Sequence, residues 1–172
     1  MDNFEDRTRR CQRRLDEARR GGVVLFPSQN LYYLGGFHEE PSERHLFLFV
    51  PSEGEPAFVA PELYGEQIRD ETWVEDLRLW ADGDDPVEPA GETASDLGMA
   101  SGELLVDATM WARFTQDLRG RSRTPSGGWP TRCSVRCACA RTPRNSTRSG
   151  APARWPTPRC VTSENSETTR WG

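Results

Sequence analysis

The stretch His38-Glu39-Glu40-Pro41-Ser42-Glu43-Arg44-His45 gathers two imidazoles and three carboxyls, residue types that ligate divalent metals or move protons. Its spacing argues against a metal centre. Six residues, one of them a proline, separate His38 from His45, and no standard zinc pattern has that form. The stretch reads as a solvated loop. Cys133, Cys137, Cys139 and Cys160 raise a second metal question, zinc or iron–sulfur. Their spacing, C-x₃-C-x-C and then a distant Cys, supplies no common ligand pair, and no His follows His45. The adjacent acids Glu39-Glu40 and Asp84-Asp85 would suit acid–base work, but in so acidic a chain they read as solvated surface. Cys11 falls on the apolar stripe of an amphipathic segment and reads as a small buried residue. Trp73 and Trp80 read as anchors of the core or of a subunit interface. Asn145-Ser146-Thr147 fits a glycosylation acceptor by chance. No catalytic, cofactor-binding or metal-ligating residue is assigned.

Composition divides the chain in two. Residues 1–119 hold 25 Asp/Glu against 12 Arg, and residues 120–172 hold 2 against 10; Lys is absent throughout. An acidic, Lys-free domain repels nucleic acid and anionic membrane surfaces. It also fits a GC-rich, salt-adapted source, because Arg codons are GC-rich and Lys codons are not. No apolar run approaches the roughly 18 residues of a membrane span, and the charged N-terminus carries no apolar signal core. The expected location is the cytoplasm. With Cys11 the sole cysteine before residue 120, no disulfide framework is expected there.

The elements follow from periodicity. Phe4, Cys11, Leu15 and Ala18 share one face of a helix over 4–20, with Asp2 or Asn3 as N-cap and Gly21-Gly22 as stop. Three short apolar runs, Val23–Phe26, His45–Val50 and Ala57–Ala60, read as buried strands, the last two joined by a turn over Pro51–Pro56. Tyr32–Phe37, broken by Gly35-Gly36, reads as strand or turn. A helix is expected from Pro61 or Glu62 to about Glu71, and a strand over Trp73–Trp80. A turn from Asp82 then leads into a weak helix, followed by a strand at Leu104–Val106 and a helix over Met110–Leu118. Alternating strands and helices with one embedded hairpin imply a mixed-sheet α/β layer fold.

After Arg119 this pattern stops. Residues 120–172 contain six Pro and ten Arg, with Val135 and Val161 the only branched aliphatics. Such a segment cannot bury a core. Its Arg residues, set among Pro and Thr without an aromatic platform, would meet phosphate only incidentally. The genetic code offers another account. With GC-rich codons, Arg121–Ser126 shifted by one base reads Ala-Leu-Pro-Asp-Ala-Glu. Trp155-Pro156 gives Ala in that frame whichever proline codon is used. Carried onward, one codon choice yields PLRVRKDAAELDALRRAGAVAD, a stretch with amphipathic helical spacing. The tail from 120 therefore reads as an irregular, out-of-frame segment, with the break at about residues 119–121.

Residues 23–61 resemble the N-terminal domain of the creatinase, prolidase and aminopeptidase P family. The resemblance rests on Val23–Phe26, on Asn30-Leu31-Tyr32-Tyr33-Leu34-Gly35-Gly36-Phe37, on the strand His45–Val50 and on Pro56–Pro61. The shifted-frame string looks like the linker and first helix that open the family's catalytic domain. The resemblance implies a ribonuclease-H-like mixed sheet over 1–119. It also implies intact relatives that hydrolyse Xaa-Pro peptide bonds with two divalent metal ions, Mn, Co or Zn, held by a C-terminal domain whose ligands have no counterpart here. The chain is thus expected to be the non-catalytic N-terminal part of such a hydrolase, without a cofactor of its own. Proline-containing peptides belong to intact relatives alone. A homodimer through this domain is expected, with no nucleic-acid or membrane partner, and in an intact oligomer the His38–His45 loop would lie near the substrate entrance or a subunit contact. The alternative is a stand-alone interaction or oligomerisation module without activity.

Overall fold

A computed structural model of the chain describes residues 3–101, 103–120 and 136–138. The order is α1 (Phe4–Glu17), β1 (Arg20–Leu25), α2 (Gln29–Gly35), β2 (Phe47–Pro51), β3 (Ala57–Pro61), α3 (Gly65–Glu71), β4 (Asp76–Trp80), α4 (Val87–Asp96), β5 (Glu103–Asp107), α5 (Ala112–Gly120) and β6 (Arg136–Ala138). Short 3₁₀ turns at Glu62–Tyr64 and Met99–Ser101 precede α3 and β5.

The strands form one mixed sheet in the order β4-β3-β2-β1-β5-β6. β1–β2 and β2–β3 are antiparallel, whereas β1–β5, β3–β4 and β5–β6 are parallel. This is the mixed α/β sheet expected from the sequence. Its central strands are apolar without interruption because both faces are covered. Val24, Phe47, Phe49, Val59 and Val106 pack with Ala90 and Ala94 of α4 and with Phe114 and Leu118 of α5. Val23, Leu25, Leu48, Val50, Phe58 and Ala60 pack with Leu15 of α1, Leu31 and Leu34 of α2 and Ile68 of α3. Alternate residues of one strand thus serve two cores, which is why His45–Val50 shows no polar alternation.

The first helix begins as expected, with Asn3 Oδ1 accepting the Asp6 N–H at 2.7 Å. It ends earlier than expected. The chain leaves α1 after Glu17 through Arg19, in the left-handed region at φ 53°, and Ala18 is exposed rather than part of the buried stripe. Gly21-Gly22 lies inside β1 and is no helix stop. A Cβ on Gly22 would stand 2.5 Å from Met99 Cε and 2.7 Å from Val50 O, so the glycine is there for close packing against the turn at Met99–Ser101. The buried face of α1 is partly polar: Thr8 donates to Leu34 O at 3.1 Å, and Gln12 donates to Pro51 O at 3.1 Å and Gly54 O at 2.8 Å. These bonds fix the helix over α2 and over the β2–β3 turn, satisfying side chains that burial would otherwise penalise.

Tyr32-Tyr33-Leu34 is helical, where strand or turn was expected. Local caps decide it. Ser28 Oγ accepts the N–H groups of Asn30 and Leu31 at 3.2 and 3.3 Å, and Gly36, at φ 84°, closes the helix with its N–H on Tyr32 O at 3.0 Å. Leu31 and Leu34 turn inward, leaving Tyr32 and Tyr33 about half exposed.

The outer edge at β4 is charged. Arg78 bridges Asp76 at 3.1 Å and Asp96 at 2.6 Å, and its pKa is raised, first by the hydrogen bond to Asp76. Such a charge on an edge strand discourages further strand pairing. At the opposite edge, Arg136–Ala138 pairs with β5, so three residues of the segment expected to be irregular carry regular sheet structure. Cys133, Cys139, Cys160 and Asn145 lie outside the described residues.

Candidate functional site

Parallel strands β1 and β5 end side by side, and the residues just beyond them meet. Asp107, the last residue of β5, is 1 % exposed. Its Oδ2 accepts Ser28 Oγ at 2.6 Å and Asn30 Nδ2 at 3.3 Å, while its Oδ1 accepts the Thr109 N–H at 2.9 Å and Thr109 Oγ1 at 2.7 Å. Ser28 is at the same time the N-cap of α2. The polar group that starts a helix is therefore tied to the end of a neighbouring strand. All four donors point at one carboxylate, so Asp107 is committed to holding the turn and has no lone pair to spare as a base.

Above this lock lies an open cleft of about 280 Å³, lined by Ser28, Asn30, Thr109, His38, Glu39 and Glu40 among others. In mixed α/β sheets the carboxyl ends of parallel strands are the usual place for ligands. Here they supply hydroxyls and an amide at the floor, with an exposed imidazole and two carboxyls at the rim. His38 rests edge-on to Tyr32 with centroids 6.1 Å apart, and Glu39 Oε1 accepts the Glu40 N–H at 3.2 Å.

The two histidines singled out by the sequence take different roles. His38, Glu40 and Glu43 are exposed, as a solvated loop requires. His45 is not solvated: it is 8 % exposed, its Nε2 lies 2.9 Å from Asp117 Oδ2, and its ring stands edge-on to Phe114 at 4.7 Å. Its backbone oxygen accepts Trp80 Nε1 at 3.0 Å, and Trp73 Nε1 donates to Leu34 O at 2.8 Å. Both tryptophans are core anchors. Asp84 and Asp85 are exposed turn residues whose carboxylates accept the N–H groups of Ala81 at 3.1 Å and Val87 at 2.9 Å. Cys11 is half-buried against the α1–α3 side, and desolvation pushes its thiol pKa up.

Among the described residues no group of three or more His, Cys, Asp or Glu is placed to hold a metal ion. The described side chains do not fit a two-metal hydrolytic centre. Sequence reasoning passed over Asp107 and Ser28. The signal was present: each follows a buried apolar run, Leu104-Leu105-Val106 and Val23–Phe26, at the point where a parallel strand ends.

A mixed sheet helix-covered on both faces, with a polar lock at the ends of its paired parallel strands, defines a mixed-sheet α/β domain. A sequence model of the Creatinase/Prolidase N-terminal domain matches residues 7–120, and the chain belongs to that family. It is 35 % identical over 83 residues to the putative dipeptidase YkvY of Bacillus subtilis, covering 48 % of this chain and 23 % of that protein. It is 38 % identical over 73 residues to the probable dipeptidase PepE of Mycobacterium tuberculosis, covering 41 % and 20 %. The chain thus spans about a fifth of the length of these curated relatives. Among solved structures, a dipeptidase from Pyrococcus horikoshii OT3 superposes with a TM-score of 0.61 at 30 % identity, over 66 % of this chain and 31 % of that one. The N-terminal domain of an Xaa-Pro dipeptidase from Lactobacillus brevis superposes with a TM-score of 0.61 at 19 % identity, over 66 % and 86 %, a likeness of fold alone. No described helix is long and apolar enough to cross a membrane.

Proposed function

We propose that residues 1–119 are the non-catalytic N-terminal domain of an Xaa-Pro dipeptidase-like metallohydrolase, and that the chain leaves the parent reading frame at about residues 119–121. The family match carries the reading. It ends at residue 120, where the acidic composition and the apolar periodicity also end. The chemistry of the parent, hydrolysis of an Xaa-Pro bond by water activated between two divalent ions (Mn, Co or Zn), then belongs to residues encoded beyond the break. The partner implied is a second copy of the domain. The acid-rich composition, with 25 Asp/Glu in residues 1–119, goes with a salt-adapted source, and the location proposed is the cytoplasm.

The test pairs two chains. The 172-residue chain, supplied with Mn or Co, is expected to leave an Xaa-Pro dipeptide intact. Restoring the frame by one base at codon 120 is expected to open a long continuation with metal-stimulated cleavage. Cleavage by the 172-residue chain overturns the non-catalytic reading; a restored frame that soon meets a stop overturns the frame reading.

A further inference from the structure

Residues 81–84 turn the chain between β4 and α4, and they hold the one Asp-Gly step in the sequence, Asp82-Gly83. Both residues are exposed, as are Asp84 and Asp85 after them. The Asp84 N–H closes the turn on Ala81 O at 3.0 Å, with Gly83 in the third position at φ 110°. A Cβ on Gly83 would meet nothing within 4 Å, so the space beside it is open. Among the described residues the Gly83 N–H has no hydrogen-bond partner. A carboxyl group thus stands next to an amide nitrogen that is neither bonded nor shielded.

One contact restrains that carboxyl. Arg44 Nη1 donates to Asp82 Oδ1 at 2.7 Å, although the Asp82 side chain is 78 % exposed. To meet the Gly83 nitrogen the carboxyl must leave Arg44 and the turn must rotate. An exposed ion pair opposes such a rotation only weakly, and glycine at the following position gives the backbone freedom to make it.

We infer that Asp82 is a site of spontaneous isomerisation to isoaspartate, with Arg44 as the residue that slows it. The Gly83 nitrogen attacks Asp82 Cγ and forms a C–N bond. The carboxyl OH and the amide proton leave together as one water, and a five-membered succinimide remains. Water then adds to one of the two imide carbonyls and breaks its C–N bond. Opening at the side-chain carbonyl restores aspartate. Opening at the main-chain carbonyl gives isoaspartate, in which the chain runs through Cβ. The water lost is returned, so the step needs neither an oxidant nor a cofactor. The product lengthens the turn by one methylene and carries its carboxylate on a different carbon, which undoes the tie to Arg44. That tie holds the connection whose earlier residues, His38, Glu39 and Glu40, rim the cleft. A carboxyl methyltransferase selective for the isoaspartyl α-carboxyl is the class of enzyme that would take the product as substrate.

The full chain is kept folded and warm at mildly acidic pH, and samples are digested with trypsin over time. Cleavage after Arg78 and Arg113 releases one fragment, 79–113, that also contains Asp107. Asp107 is buried under four donors and serves as the internal reference. Isoaspartate, read by fragmentation of the peptide and by enzymatic methylation, is expected to accumulate at Asp82 and not at Asp107. Arg44→Gln is expected to raise the rate about two- to fivefold, the range that an exposed pair can hold back. Asp82→Glu, which would need a six-membered ring, is expected to abolish the signal. No more isoaspartate at Asp82 than at Asp107 overturns the inference, and so does accumulation at Asp82 in urea alone. An unchanged rate in Arg44→Gln overturns the part given to Arg44. None of these outcomes depends on the reading frame beyond residue 119.

Discussion

Replacing Asp107 by Asn removes a charge without changing volume, and the structure sets the cost. The carboxylate accepts four hydrogen bonds, two on each oxygen. An amide keeps one oxygen. If that oxygen stays with Thr109, the new NH₂ faces the Asn30 amide and the Ser28 hydroxyl, whose Oγ already caps Asn30 and Leu31. Two charge-assisted bonds are lost, each worth about 1.5 kcal/mol or more, while the part-buried donors recover some solvation. The expected loss is about 2–3 kcal/mol. At roughly 3 °C per kcal/mol for a domain of this size, Tm falls by roughly 6–9 °C. Asp107→Ala orphans all four donors and is expected to cost about 3–4 kcal/mol. Urea unfolding followed by tryptophan fluorescence reads both, and pairing Asp107→Asn with Ser28→Ala is expected to show a coupling of about 1 kcal/mol. An Asp107→Asn variant within about 0.5 kcal/mol of the parent would refute the claim that this carboxylate ties β1 to β5.

Gly36→Ala forces a side chain into φ 84° and brings its Cβ to 3.1 Å from the Phe4 ring; a loss of about 1–2 kcal/mol is expected in the same unfolding assay. His45→Ala empties a buried site against Phe114 and Phe47 and is expected to cost about 2–4 kcal/mol, whereas Asp117→Asn, at a carboxylate 37 % exposed, is expected to cost about 1 kcal/mol or less. Cys11 has a thiol pKa raised by burial, so in the folded chain its alkylation by iodoacetamide at pH 8 is expected to be slower than in urea. The sign follows from linkage. Folding holds the Cys11 proton more tightly than the unfolded chain does, so its contribution is full below the ordinary thiol value and declines as pH rises past about 9.0, which a pH series of unfolding midpoints will show.

Buried strands were legible because their two-sided burial leaves uninterrupted apolar runs, as at Phe47–Val50 and Ala57–Ala60. The helix at Gln29–Gly35 was missed because its aromatic residues favour strands by composition, while the evidence for a helix sits outside the aromatic run, in Ser28 and Gly36. Gly21-Gly22 suggested a stop for the opposite reason: the pair resembles a helix terminator, and only the approach of Met99 shows why Gly22 belongs in a strand. His45 was misplaced with His38 because the loop around them is polar on paper; the contact that buries His45 comes from α5, about seventy residues later. The lock at Asp107 depends on a partner 79 residues away, a distance that local pattern does not span.

The same separation sets an order of events. β2 and β3 are joined by a short turn and can pair early, since closing a small loop costs little entropy. β1 cannot find β5 until some eighty residues have been made and brought back, and parallel pairing of that range is intrinsically slow. During synthesis the β1 edge waits unpaired, with Val23 and Val24 uncovered on that side, until Leu105 and Val106 emerge. The fold is therefore most exposed to aggregation before its fifth strand arrives, and a chaperone or a slowed ribosome would matter most over that interval.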